Sequence, residues 1–113
     1  MKKTLLVAAS LALAASATFA APKRVTLKVW ESAGPEKDFI IWAGKQFSKT
    51  NKGVKVTFEP VEATDARAKI ELDGPAGVGA DVFVTPHDHI GALVAGGHVL
   101  ENPSKAYLND FID

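Results

Sequence analysis

The sequence predicts an α/β fold built on a parallel sheet. Three observations carry this. Two segments, Val25–Glu31 and Val54–Glu59, alternate apolar and polar residues and are rich in β-branched side chains, as half-buried strands are. A third, Asp81–Thr85, is a short apolar run of the kind found in strands buried on both faces. The stretches between them have helical periodicity and are too long for hairpins. Consecutive strands are therefore expected to run parallel, with helices crossing between them.

Each element has a local reason. Ser32-Ala33-Gly34 breaks the first strand, and Pro35 suits the first turn of a helix, where its missing N–H costs nothing. Glu36 and Asp38 place negative charge at the positive helix end. Phe39, Ala43 and Phe47 recur at i, i+4 and i+8 with Ile40 and Gly44 beside them, which predicts a helix from about Pro35 to Thr50. Asn51-Lys52-Gly53 stops it, since Gly53 can take the left-handed exit conformation. Pro60 ends the second strand. A second helix over about Ala63–Leu72 carries Ala63, Ala66 and Ile70 on one face, and Gly74 to Gly79 is a loop. After the third strand Pro86-His87 turns the chain, and Asp88 is placed to cap a third helix over about His89–Ala95 that Gly96-Gly97 ends. Val99-Leu100 reads as a short extended piece and Ser104–Phe111 as a further helix.

The first residues read differently. Met1-Lys2-Lys3 is basic, Thr4 to Ala17 is uncharged and rich in Leu and Ala, and Ala15-Ser16-Ala17 and Thr18-Phe19-Ala20 offer small-residue exits. That is the layout of a secretory signal peptide, expected over residues 1–20 with cleavage after Ala20, or after Ala17. The apolar stretch is shorter than the roughly 20 residues needed to span a bilayer. Residues 21–113 are then one small domain's length. With no cysteine, that part must fold on its hydrophobic core without disulfides. Losing Lys2 and Lys3 turns a formally neutral chain mildly acidic, which argues against a nucleic-acid partner.

In a parallel α/β sheet, ligands sit beyond the carboxyl ends of the strands. Three loops fall on that rim: Glu31 to Pro35, Glu59 to Ala63 and Thr85 to His89. Asp88 can serve as a helix cap, as an acceptor for ligand hydroxyls, or as both, because a carboxylate has two oxygens. His87 and His89 flank it, but an H-x-H pair lacks helical i, i+4 spacing and a third fixed ligand, so no metal site is expected. The glycines at 74–79 precede a strand rather than follow one and lack a G-K-[ST] ending, which reads as a surface loop and not a phosphate cradle. Trp30 suits the core, although flat aromatic faces also stack on sugar rings. Trp42, at the edge of the first helix's stripe, stays open between the two. No nucleophile elbow, cysteine nucleophile or H-E-x-x-H is present, so no catalytic set is assigned.

Several stretches carry a resemblance: Leu27-Lys-Val-Trp-Glu31, Gly44-Lys-Gln-Phe-Ser-Lys49, Gly53-Val-Lys-Val-Thr57, and Gly79-Ala-Asp-Val-Phe83 running into Pro86-His-Asp-His-Ile-Gly91, then Gly96-Gly97 and Leu100. Together they resemble the start of the maltose/maltodextrin-binding proteins, the soluble receptors of ABC sugar importers. The resemblance covers nearly all of residues 21–113, and the His-Asp-x-x-Gly stretch is its most specific part.

The resemblance implies a partial, parallel-sheet N-terminal lobe of a two-lobe periplasmic-binding-protein fold. It implies a non-enzymatic, monomeric receptor in the periplasm that binds maltose, maltodextrin or a related oligosaccharide without a cofactor and docks on ABC permease membrane subunits. Asp88 matches the family's sugar-hydroxyl carboxylate, and Ser32, Gly34 and Pro35 lie in a loop matching another sugar-contacting segment. The chain departs from the family in carrying His89 where an Arg often follows that Asp. It has Thr85 where a Trp can stand, and Gly34-Pro35 in place of an Asp-Lys pair. Those six residues, Ser32, Gly34, Pro35, Thr85, Asp88 and His89, form the expected ligand-binding set. The competing readings are a secreted glycosidase or metal hydrolase using Asp88 with His87 and His89, and a receptor for another small solute.

Overall fold

The computed structural model describes residues 23–111, and the leader expected at residues 1–20 lies outside them. Strand β1 (Val25–Glu31) is central, with β2 (Val54–Pro60) on one side and β3 (Val82–Phe83) on the other, all parallel in the order β2-β1-β3. β1 pairs with β2 from Val25↔Val54 to Glu31↔Pro60, and with β3 at Val29↔Val82 and Trp30↔Phe83. Pro60 ends β2 as expected, itself the last strand residue. Asp81 secures the start of β3: its N–H donates to the Lys28 carbonyl at 2.9 Å, and its carboxylate accepts from the Lys28 N–H at 2.7 Å.

Strand alternation sorts the side chains onto two faces. Leu27 and Val29 share one face with their register partners Val56 and Phe58. Helix α1 (Pro35–Thr50) packs there, chiefly against β2. The contact is a backbone approach at Gly44, the buried residue of α1: a methyl group there would lie 2.9 Å from Val56 Cβ and Cγ1. The Asn51 N–H closes the helix on the Phe47 carbonyl at 2.9 Å, and Gly53 turns the chain at φ 91°. Between α1 and β3 this face stays open as an apolar groove of about 330 Å³ floored by Leu27, Val29 and Val82.

The other face holds the core. Trp30, Val61, Ala66, Ile70 and Leu93 cluster there, with Ala80, Phe83 and Val99 against them. Ala66 and Ile70 come from α2 (Ala63–Asp73) and Leu93 from α3 (Ile90–Ala95). Trp30 and Leu93 are fully buried, and the Trp30 and Phe83 rings meet at 6.4 Å. Gly97 (φ 69°) ends α3 and lets the His98 N–H reach the Leu93 carbonyl at 2.9 Å.

Four sequence expectations are corrected. The third strand is two residues long and is not buried on both faces: Val82 is 52 % exposed because α1 leans away from it toward β2. Asp88 does not cap the third helix. It lies inside a 3-10 turn at His87–His89, α3 begins at Ile90, and neither start has a side-chain cap bond. Residues 104–111 form only a short 3-10 helix at Ala106–Asp110, exposed throughout because it meets no apolar surface. Val99-Leu100 joins no strand; Val99 packs on the core while Leu100 is 98 % exposed.

Candidate functional site

Because all three strands are parallel and in register, their carboxyl ends finish side by side. The ladder continues one step past the strands. The Val61 N–H donates to the Glu31 carbonyl at 3.1 Å, and the Val84 N–H to the Trp30 carbonyl at 3.2 Å. The loops leaving β1, β2 and β3 therefore start from one edge, at the roughly 4.8 Å spacing of paired strands.

The β1 exit is fixed at both ends. The Ser32 N–H donates to Glu31 Oε1 at 2.7 Å, and Ser32 Oγ accepts from the Ala63 N–H at 3.3 Å. That second bond satisfies a free donor at the start of α2, where Glu62 provides no side-chain cap. Ser32 thereby ties the β1 and β2 exits together. Gly34 turns at φ 104°, a conformation that favours glycine, and hands the chain to Pro35 at the first turn of α1.

At the β3 exit, Thr85 and His89 are brought together: Thr85 Oγ1 and His89 Nδ1 are 3.0 Å apart. This bond spans the 3-10 turn and holds the imidazole. Asp88 stands between the two histidines, exposed, and among the described residues its carboxylate has no hydrogen-bond partner. An exposed carboxylate with both oxygens available is able to accept hydrogen bonds from hydroxyl groups. Among the described residues no three His, Asp or Glu side chains converge as a metal-binding group.

Sequence reasoning missed a polar cluster one step back from this edge. Trp30 and Glu59 are cross-strand partners, and the indole Nε1–H donates to Glu59 Oε2 at 3.1 Å. Lys28 and Lys69 approach the same carboxylate at 3.6 and 3.8 Å. Lys69 also donates to Asp73 Oδ2 at 2.6 Å and lies 4.9 Å above the Trp30 ring. The hydrogen bond to Asp73, reinforced by the charges of Asp73 and Glu59, raises the Lys69 pKa above 10.5 against a smaller opposing effect of burial. The only signal was the register: in parallel strands, the residue opposite a buried Trp is the one its N–H can reach.

The sequence profile of the bacterial extracellular solute-binding proteins matches residues 32–111. The chain belongs to that family. Three solved structures of proteins bound to maltose or maltotetraose are similar to it. A cyclo/maltodextrin-binding protein complexed with maltotetraose superposes with a TM-score of 0.67 at 33 % identity, over 78 % of this chain and 23 % of its own length. The maltose-binding periplasmic protein of Listeria monocytogenes, in complex with maltose, gives 0.63 at 36 % identity over 69 % and 20 %. The extracellular solute-binding protein of Staphylococcus aureus, also in complex with maltose, gives 0.64 at 28 % identity over 79 % and 24 %. No curated protein sequence matched. This member of the family spans 20 to 24 % of the length of those three proteins, and its three-stranded parallel sheet corresponds to part of their two-lobe fold.

Proposed function

We propose that this chain forms the first part of the N-terminal lobe of a sugar-binding receptor. The complete receptor would take up maltose or a maltodextrin in the periplasm and deliver it to the membrane subunits of an ABC importer. In this reading residues 1–20 are the export signal, and the receptor acts as a monomer without catalysis or a cofactor. The observation that carries it is the exposed carboxylate of Asp88 in the turn that follows β3, without a hydrogen-bond partner among the described residues and beside the bonded Thr85–His89 pair. Ser32, Gly34 and Pro35, at the exit of the neighbouring strand, would complete one wall of the receptor's cleft. The relatives crystallised with maltose and maltotetraose support a sugar as the ligand.

A carboxylate suits this task because sugar hydroxyls are donors and a charged acceptor makes the stronger bond. One wall alone offers too few convergent groups to hold a small ligand, so affinity requires the second lobe. Isothermal titration with maltotriose tests both points. The full-length product of the gene should bind saturably, and Asp88→Ala should weaken it by about 10- to 100-fold, the loss of bonds to a charged acceptor. The 113-residue chain alone should give no saturable heat. Equal affinity in the Asp88→Ala receptor would overturn the role of that carboxylate. Cleavage of the sugar would overturn the receptor reading itself.

A further inference from the structure

The outer side of α1 does not suit a surface that faces only water. Phe39 and Trp42, one turn apart, are 60 % and 59 % exposed, with ring centroids 6.1 Å from each other. Lys45 and Lys49 continue the same stripe at three and seven residues beyond Trp42. With Lys52 and Lys55 they line one open cleft of about 530 Å³ between α1 and β2. From residue 39 to residue 58 the chain has these four lysines and no Asp or Glu, the acids of α1, Glu36 and Asp38, being confined to its first turn. The ion pairs among the described residues involve Lys28, Arg67 and Lys69, and none involves these four.

From this juxtaposition we propose that the outer side of α1 is a docking surface for an anionic lipid bilayer. The chemistry is complementary on both counts. Indole and phenyl rings favour the headgroup region, where an apolar ring and its polar surroundings are both accommodated. Lysines near an anionic leaflet are attracted to its surface potential, and their long apolar stems reach past the helix to the headgroups. An acidic protein partner would satisfy the lysines but would leave the two adjacent rings without a reason to be exposed together. The surface lies on the helix flank and uses none of the residues assigned to the sugar site, so it stands or falls independently of that assignment.

Trp42 is its own reporter, because Trp30 is fully buried and its emission is insulated from added vesicles. With the purified chain at low salt, phosphatidylglycerol-containing vesicles should shift Trp42 emission to the blue, and brominated lipid should quench it. Pure phosphatidylcholine vesicles should do neither. Raising salt should reverse the effect, since screening sets in beyond about 10 Å at 0.1 M. A K45Q/K49Q/K52Q/K55Q variant should partition roughly a hundredfold or more less onto anionic vesicles, with unchanged far-UV circular dichroism. Both chains begin at Ala21, the start expected after the leader, so the apolar residues before it add no membrane affinity of their own. An equal response to neutral vesicles, full binding by the quadruple variant, or a larger shift with polyglutamate than with vesicles would each overturn the proposal.

Discussion

Trp30 and Glu59 face each other across the β1–β2 ladder, and the indole N–H donates to the Glu59 carboxylate at 3.1 Å while the ring itself is fully buried. The pair solves a problem that a buried tryptophan always poses. Its ring belongs in the core, but its one donor needs an acceptor. Replacing Trp30 by Ala should cost about 3–5 kcal/mol, enough to unfold so small a chain. A double-mutant cycle with Trp30→Phe and Glu59→Ala, which removes the acceptor, should give a coupling of about 1 kcal/mol by urea denaturation. Additive effects would show that the bond contributes nothing.

Gly44 is the point where α1 touches β2. Gly44→Ala adds a methyl group that meets Val56 Cβ and Cγ1 at 2.9 Å. Overpacking of this kind costs about 1–3 kcal/mol, and the better helix propensity of Ala returns up to about 1 kcal/mol. The net expectation is a loss of about 1–2 kcal/mol in the urea midpoint analysis. Adding Val56→Ala should make room and leave the double variant less destabilised than the sum of the two single changes. A Gly44→Ala chain as stable as the parent would mean that α1 does not rest on the sheet as described.

Asp88 makes no cap bond, so its removal should leave the fold alone. Asp88→Ala is expected to change stability by no more than about 0.5 kcal/mol, the range of surface substitutions. Loss of a true N-cap costs about 1 kcal/mol. Thermal denaturation of the two chains separates these outcomes, and a capping-sized loss would show that Asp88 supports the turn or helix after all.

Lys69 is expected to contribute to the loss of stability at alkaline pH. Its pKa is raised above 10.5 by its bond to Asp73 and by the charges of Asp73 and Glu59. The folded chain therefore holds this proton more tightly than the unfolded one. The resulting stabilisation is complete below 10.5 and is lost as pH rises through the folded value. Urea midpoints should fall as pH climbs past 10.5, and Lys69→Met should flatten part of that decline. An unchanged alkaline slope in Lys69→Met would remove the assignment.

Much of the architecture was legible because the chain's local signals agree with its topology. The alternation in β1 and β2, the Pro35 start of α1 and the Gly53 and Gly97 reversals all fall where the residues predict them. The failures share a cause. Asp81–Thr85 has the composition of a strand covered on two sides, but cover is a property of neighbours, and α1 lies over β2 instead. Residues 104–111 carry apolar side chains at helical spacing, yet they lie exposed among the described residues and form only a 3-10 helix. At the candidate site, the rim positions of Ser32, Thr85 and His89 followed from strand order alone. Their bonds did not: that Ser32 reaches the Ala63 N–H, or that Thr85 rather than Asp88 holds His89, depends on loop geometry that no periodicity encodes.

The strand order has a consequence for how the sheet comes into being. β2 and β3 share no hydrogen bond; each is joined only to β1, the first strand after residues 1–22. Without Val25–Glu31 the described residues keep no strand pairing, because β2 and β3 meet only through it.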